Sequence, residues 1–250
     1  MSYQSSISER DRDRINRFCL MDDEFMQKCL EDSIECTELI ISIILKRDDL
    51  GIKSVRTQHK IKNLHGRSVV LDIYAEDDEG KHYNIEIQRS DHGADPRRAR
   101  YYSSLMDANV SSPGEAFEDL PEIYVIFITE NDVLKGGLPI YHIERKVIET
   151  EVPFNDGSHI IYVNGRYQDE SPLGLLMEDF FCRDPDKMNY KVLADRVRYF
   201  KKDEKGGAAM SRIMDEVREE GIAIGREAGK EEANKISAFK LIKAGKISYE

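Results

Sequence analysis

Apolar and polar positions change period several times along the chain, and each change marks an element. Residues 23–46 place Phe25, Met26, Cys29, Leu30, Ile34, Cys36, Leu39, Ile40, Ile43 and Ile44 mostly three and four apart. That spacing puts one apolar face on a helix, which Asp32 or Ser33 can break or re-cap. Residues 52–61 form a mixed, basic strand candidate. Residues 67–76 alternate, with Val69, Leu71 and Ile73 against Val70, Asp72 and Tyr74. Residues 81–88 alternate as well, with Tyr83, Ile85 and Ile87 against His82, Asn84, Glu86 and Gln88. Both read as half-buried strands. Helical spacing returns over 93–109, and 122–129 is a nearly continuous apolar run, the mark of a strand buried on both faces. Shorter strands are expected near 140–148 and 158–164. From Pro172 onward the pattern is helical, with a polar hinge at 201–207. A charged stretch follows in which Gly221, Gly225 and Gly229 recur every four residues.

Composition narrows the classes. The chain has 250 residues, 37 Lys+Arg against 48 Asp+Glu, and a net charge of -11. Hydrophobic residues make up 40%, enough for a core, and no stretch approaches the ~20 apolar residues of a membrane span. The first 17 residues are polar and lack the apolar segment of a secretory signal, so a cytoplasmic protein is expected. Cys19, Cys29, Cys36 and Cys182 show no CxxC spacing, which argues for reduced thiols and against a zinc site. An acidic total ordinarily argues against a nucleic-acid partner. From position 183 onward, however, basic residues outnumber acidic ones by 16 to 13, so the acidic excess lies in the first 182 residues.

The two alternating segments frame the candidate chemistry. A three-residue loop Asp78-Glu79-Gly80, with Gly80 left-handed, joins them as a hairpin. Pairing outward from Asp77 opposite Lys81 brings Asp72 directly opposite Glu86, and places Leu71, Ile73, Ile85 and Ile87 together on the other face. Two carboxylates directly opposite each other repel unless a positive charge lies between them. A hard divalent cation such as Mg²⁺ answers that need and keeps room for a phosphate oxygen. Gln88 shares the face and can hydrogen-bond a water or a phosphate oxygen. The plainer reading is a solvated hairpin with an acidic outer face. Basic residues bracket the pair: Lys53, Arg56, His59, Lys60, Lys62, His65 and Arg67 before it, and Arg89, Arg97, Arg98 and Arg100 after it. The latter group, with Tyr101, forms the candidate phosphate contacts.

The ordered segments Gly66-Arg67-Ser68-Val69-Val70-Leu71-Asp72-Ile73, Tyr83-Asn84-Ile85-Glu86-Ile87-Gln88-Arg89, Arg98-Ala99-Arg100-Tyr101-Tyr102-Ser103-Ser104 and the strand 120–129 resemble the PD-(D/E)XK nuclease family transposases. The resemblance covers about residues 20–205 and implies a restriction-endonuclease-like α/β core, a mixed central sheet flanked by helices, with a charged helical C-terminal tail. It implies metal-dependent cleavage of a DNA phosphodiester with Mg²⁺ or Mn²⁺. Asp72, Glu86 and the backbone carbonyl of Ile87 are then metal ligands, and Gln88 takes the position usually held by Lys. It also implies an acidic residue on the first helix, matched by Glu35, with Glu38 as competitor. The expected division is a charged leader 1–20, a nuclease-like domain 21–182, a docking helix and hinge 183–205, and a tail 206–250 through which copies associate. The competing function is a nuclease-fold module without catalysis that binds or assembles.

Overall fold

The computed structural model describes residues 7–63, 66–89 and 91–243. Residues 1–6 and 244–250, the ends of the expected leader and tail, lie outside the described residues, as does His65. Three helices, α1 (Glu9–Arg17), α2 (Asp23–Leu30) and α3 (Ile34–Leu45), precede the sheet. Asp32, at φ 54°, breaks the long apolar helix into α2 and α3, as its spacing allowed. The strands are β1 (Ile52–Ile61), β2 (Val69–Asp77), β3 (His82–Gln88), β4 (Ile123–Thr129), β5 (Ile140–Ile143) and β6 (Ser158–Asn164). Helix α4 (Pro96–Val110) links β3 to β4, and α5 (Pro172–Phe181), α6 (Lys191–Lys202) and α7 (Glu204–Lys243) follow β6.

The six strands form one mixed sheet in the order β1-β2-β3-β4-β6-β5. β1, β2 and β3 are successively antiparallel, whereas β3-β4 and β4-β6 are parallel. A parallel β3-β4 pair requires a crossover, which α4 supplies. Its start is written locally: Asp95 accepts a hydrogen bond from the Arg97 amide at 2.7 Å, and Pro96 fills the first helical turn. One face of the sheet packs Ile73, Ile85, Ile126 and Ile128 against Phe25, Ile40, Phe180 and Phe200 of the surrounding helices. The other packs Val125, Phe127 and Tyr162 against Ala99, Tyr102 and Met106 of α4. β4 is therefore apolar on both sides, as its continuous run required. β3 is also buried on both sides, and Asn84 and Glu86 are fully covered, although alternation predicted a half-buried strand. The cover comes from α4, whose docking on this face no local pattern announces.

Two expectations about the ends are corrected. Residues 9–17 of the expected charged leader form a helix, and Ile15 with Cys19, Leu20 and Met21 joins the main core. The segment 201–207 is a tight corner and not a polar hinge. Lys201 is buried there, and its ammonium donates to the carbonyls of Asn16, Phe18 and Arg183. Gly206 lies inside α7, where a Cβ would come within 2.2 Å of the Tyr199 carbonyl. Three carbonyl partners explain why a sequence-polar residue can be buried. Helix α6 and the start of α7 bury Phe200, Met210 and Met214 in the same core as the sheet. Beyond that, the described side chains of α7 are exposed, with open space around Gly221, Gly225 and Gly229. Among the described residues no helix is long and apolar enough to cross a membrane.

Lys201→Ala should destabilise the fold by about 2 kcal/mol, because it removes a buried charged donor on which three carbonyls converge. Urea denaturation of the variant checks this, and a change below measurement error would show that water reaches the corner.

Candidate active site

The hairpin register follows from its turn. Gly80 has φ 80°, its amide donates to the Asp77 carbonyl at 3.1 Å, and the Asp77 amide donates to the Lys81 carbonyl at 3.1 Å. The β2-β3 ladder then runs from Glu76↔His82 to Ile73↔Ile85 and stops. The next step of that register sets Asp72 opposite Glu86. Here the strands part: β2 continues beside β1 alone, and β3 beside β4. At the fork the two carboxylates stand in for ladder partners. The Asp72 amide donates to Glu86 Oε1 at 3.2 Å, and the Ile87 amide donates to Asp72 Oδ2 at 3.2 Å.

The fork also disturbs the pleat. Leu71, Asp72 and Ile73 are consecutively buried. Leu71 packs with Val69, Ile61 and Phe127, not with Ile73, Ile85 and Ile87 as alternation predicted. Beyond Ile73 no β3 ladder holds the strand, and Gln58, which the β1-β2 register sets opposite Asp72, has φ 51°.

Asp72 is 8% exposed and Glu86 is 0% exposed, so a solvated acidic hairpin face is ruled out. Burial pushes the protonation of both carboxyls well above the ordinary carboxylate range. The charge of Asp23 adds to the effect on Asp72, and that of Asp72 adds to the effect on Glu86. Arg98 opposes both. Its guanidinium donates to Glu86 Oε2 at 2.7 Å, to the Gly93 carbonyl at 2.8 Å and to Tyr102 Oη at 2.7 Å, and lies 5.0 Å from the Tyr102 ring centroid. Arg98 is thus a fixed counter-ion of the pair. Asn84, wholly buried two residues before Glu86, lies close enough for its side chain to favour the ionised Glu86.

The other expected residues are distributed unevenly. Gln88 is half-buried against the turn that precedes α4, and a Cβ on Gly93 would lie 1.7 Å from its Oε1. Arg89 turns to Asp22 at 3.1 Å and Glu130 at 3.6 Å, away from the role of phosphate contact. Arg97 and Arg100 are exposed and have no ion-pair partner among the described residues. With Arg67, Ser68, Val70 and Arg98 they line an open cavity of about 870 Å³. Tyr101 lines it too, but its hydroxyl donates to the Arg67 carbonyl at 2.5 Å and accepts from Asn63 at 3.1 Å, which ties down the β1-β2 connection. Glu35 is exposed on the first turn of α3, and Glu38 accepts the Ile52 amide at 2.9 Å, fixing the start of β1. The carboxylate whose field acts on Asp72 is Asp23 on α2, which the sequence reading missed. Acidic residues at a helix start are ordinary dipole chemistry, so nothing marked it.

Two buried carboxylates with one arginine between them suit a hard cation: among the described residues nothing donates to Asp72 Oδ1, and with both carboxyls ionised the pair carries more negative charge than Arg98 offsets. Among the described residues there is no cluster of three or more metal-ligating side chains, so a backbone carbonyl or waters must complete any such set.

In EDTA the folded protein holds protons on this pair that the unfolded chain releases near pH 4. Stability should therefore fall as pH rises through neutrality, and Asp72→Asn should flatten the dependence. Thermal denaturation across that range reads the slope, and a rising curve would mean that Arg98 already neutralises the pair.

The model of a known family, described as PD-(D/E)XK nuclease family transposase, matches residues 37–166, just over half of the chain. No curated protein and no solved structure gives a match. The matched span runs from α3 to just past β6 and holds the whole sheet, the carboxylate fork and α4. On that match the chain belongs to the PD-(D/E)XK nuclease family transposases.

Proposed function

We propose that this protein is a DNA endonuclease dependent on Mg²⁺ or Mn²⁺. The observation that carries the reading is the buried Asp72-Glu86 pair, joined through Arg98 to an arginine-lined cavity. Asp72, Glu86 and the Ile87 carbonyl would hold the cation, and Glu35 takes no part. When bound, a divalent cation activates water and offsets charge on the phosphoryl group and leaving oxygen. Arg98 holds Glu86 in place and favours its ionised form. Arg97 and Arg100 bind the phosphate backbone, since among the described residues their guanidinium groups have no competing carboxylate. Gln88 orients water by hydrogen bonding, and it has no basic group with which to remove a proton. The acidic surface elsewhere repels DNA, so binding is confined to the arginine-lined side and depends steeply on salt.

A second reading, a nuclease-fold module that binds or assembles without cutting, is favoured by one specific feature. Arg98 already supplies a positive charge to Glu86, and Gln88 replaces a lysine. The exposed part of α7 is where copies of such a module would associate.

Supercoiled plasmid incubated with purified protein in Mg²⁺, Mn²⁺ or EDTA separates the two. Metal-dependent nicking is expected, and Asp72→Ala and Glu86→Ala should each abolish it with the fold retained. Cleavage that survives either substitution would reject this site. Intact plasmid, together with no metal-induced stabilisation that Asp72→Ala removes, would favour the module. Arg97→Ala with Arg100→Ala should reduce the slope of log affinity against log salt by about 2.

A further inference from the structure

The outer edge of the sheet carries a second group of side chains that the cleft does not use. β1 is one of its two edge strands. His59 on β1, Tyr74 on β2 and His82 on β3 form one stack across three strands. The ring centroids are 4.7 Å apart for His59-Tyr74 and 5.6 Å for Tyr74-His82, with interplanar angles of 22° and 18°. Tyr74 Oη and His82 Nδ1 are 2.7 Å apart, which locks the inner two rings. Among the described residues the stack ends at His59, which meets no further ring there.

His59 lines a cavity of about 330 Å³ together with Arg56, Lys60, Tyr74, Asn109 and Val110. Arg56 and Lys60 are exposed and have no ion-pair partner among the described residues. Lys53, on the same strand, is by contrast paired with Glu76 at 2.9 Å. Asn109 donates its amide to the Leu105 carbonyl, so its side-chain oxygen remains available as an acceptor. Sheet stabilisation by cross-strand rings accounts for Tyr74 and His82. It does not account for two uncommitted cations beside the open end of the stack, over a concavity.

We propose that this cavity is a single-nucleotide subsite, in which one unstacked base of a DNA strand packs on His59 and its phosphate is held by Arg56 and Lys60. Ring stacking beside a cationic groove is how single strands are bound without sequence reading. The volume is at the low end for ligand pockets, enough for one base and too small for a duplex. Burial and the Arg56 charge hold the His59 imidazole below its ordinary pKa, so it serves as a neutral ring and not as a third cation. Helix α4 connects the subsite to the cleft: Asn109 and Val110 line one cavity, Arg97 and Arg100 the other. Its 15 residues span about 22 Å, a short run of nucleotides along one strand. The subsite would therefore hold an unpaired strand near the point of cleavage. This rests on the nucleic-acid reading of the cleft but not on its catalysis.

Fluorescence anisotropy of a labelled oligothymidylate and of a labelled duplex, with the full chain in EDTA, tests it. His59→Ala should weaken oligothymidylate binding about tenfold and leave duplex binding within about twofold. His59→Phe, which keeps a ring, should restore it. Arg56→Ala with Lys60→Ala should weaken oligothymidylate binding and lower its salt slope by about 2. Wild-type affinity in folded His59→Ala, equal losses on single strand and duplex, or no oligothymidylate binding by the wild type would each overturn the subsite. Because binding is read without metal, the two proposals fail separately. His59-dependent binding with neither plasmid cleavage nor metal-induced stabilisation keeps the subsite and rejects the endonuclease. Cleavage with unchanged binding in His59→Ala does the reverse.

Discussion

The parting of β2 from β3 at Asp72 and Glu86 is the constraint around which the sheet is arranged. An antiparallel pair that ends inside a covered sheet leaves backbone donors without partners, and buried donors must be satisfied. The two carboxylates accept those amides, and so fill gaps that the fork itself creates. Their charge then needs a counter-ion. Arg98 supplies it from α4, the crossover helix that the parallel β3-β4 pair requires. Strand order, crossover and ion pair are therefore linked, and removing any one exposes the cost of the other two.

The same arrangement reconciles an acidic protein with the polyanionic substrate proposed for it. Many of the surface cations are already paired, as Arg89, Lys53 and Arg198 are with neighbouring carboxylates. Arg67, Arg97 and Arg100 have no ion-pair partner among the described residues, and they gather around one cavity. Arg56 and Lys60 do so around another, along the same helix. What matters for a long charged ligand is this local imbalance, since the net charge acts at distances that salt screens.

Sequence reading went furthest where the constraint was local. The loop Asp78-Glu79-Gly80 specifies its own turn, and a period of two carries the register from there to Asp72 and Glu86 without tertiary information. The β4 run and the position of α4 were likewise readable, because burial on both faces and a helical repeat leave direct marks. Reading failed where burial depends on distant elements. Lys201 looks like hinge polarity until carbonyls from residues 16, 18 and 183 converge on it. The arginines of α4 look alike in sequence, yet Arg98 is a counter-ion and Arg97 and Arg100 are uncommitted. Glu35 had the expected chemistry on the expected helix, but the break at Asp32 separates α2 from α3, and Asp23 on α2 is the carboxylate that acts on Asp72.

By itself the sequence determined the mixed α/β architecture, the hairpin register and the opposition of two carboxylates, because turn chemistry and apolar alternation act between neighbours. Only the tertiary structure decided that the pair is buried, that it carries its own arginine, and that β2 and β3 part there. Those outcomes depend on which helix covers which face, and that is set by the packing of residues far apart in the chain.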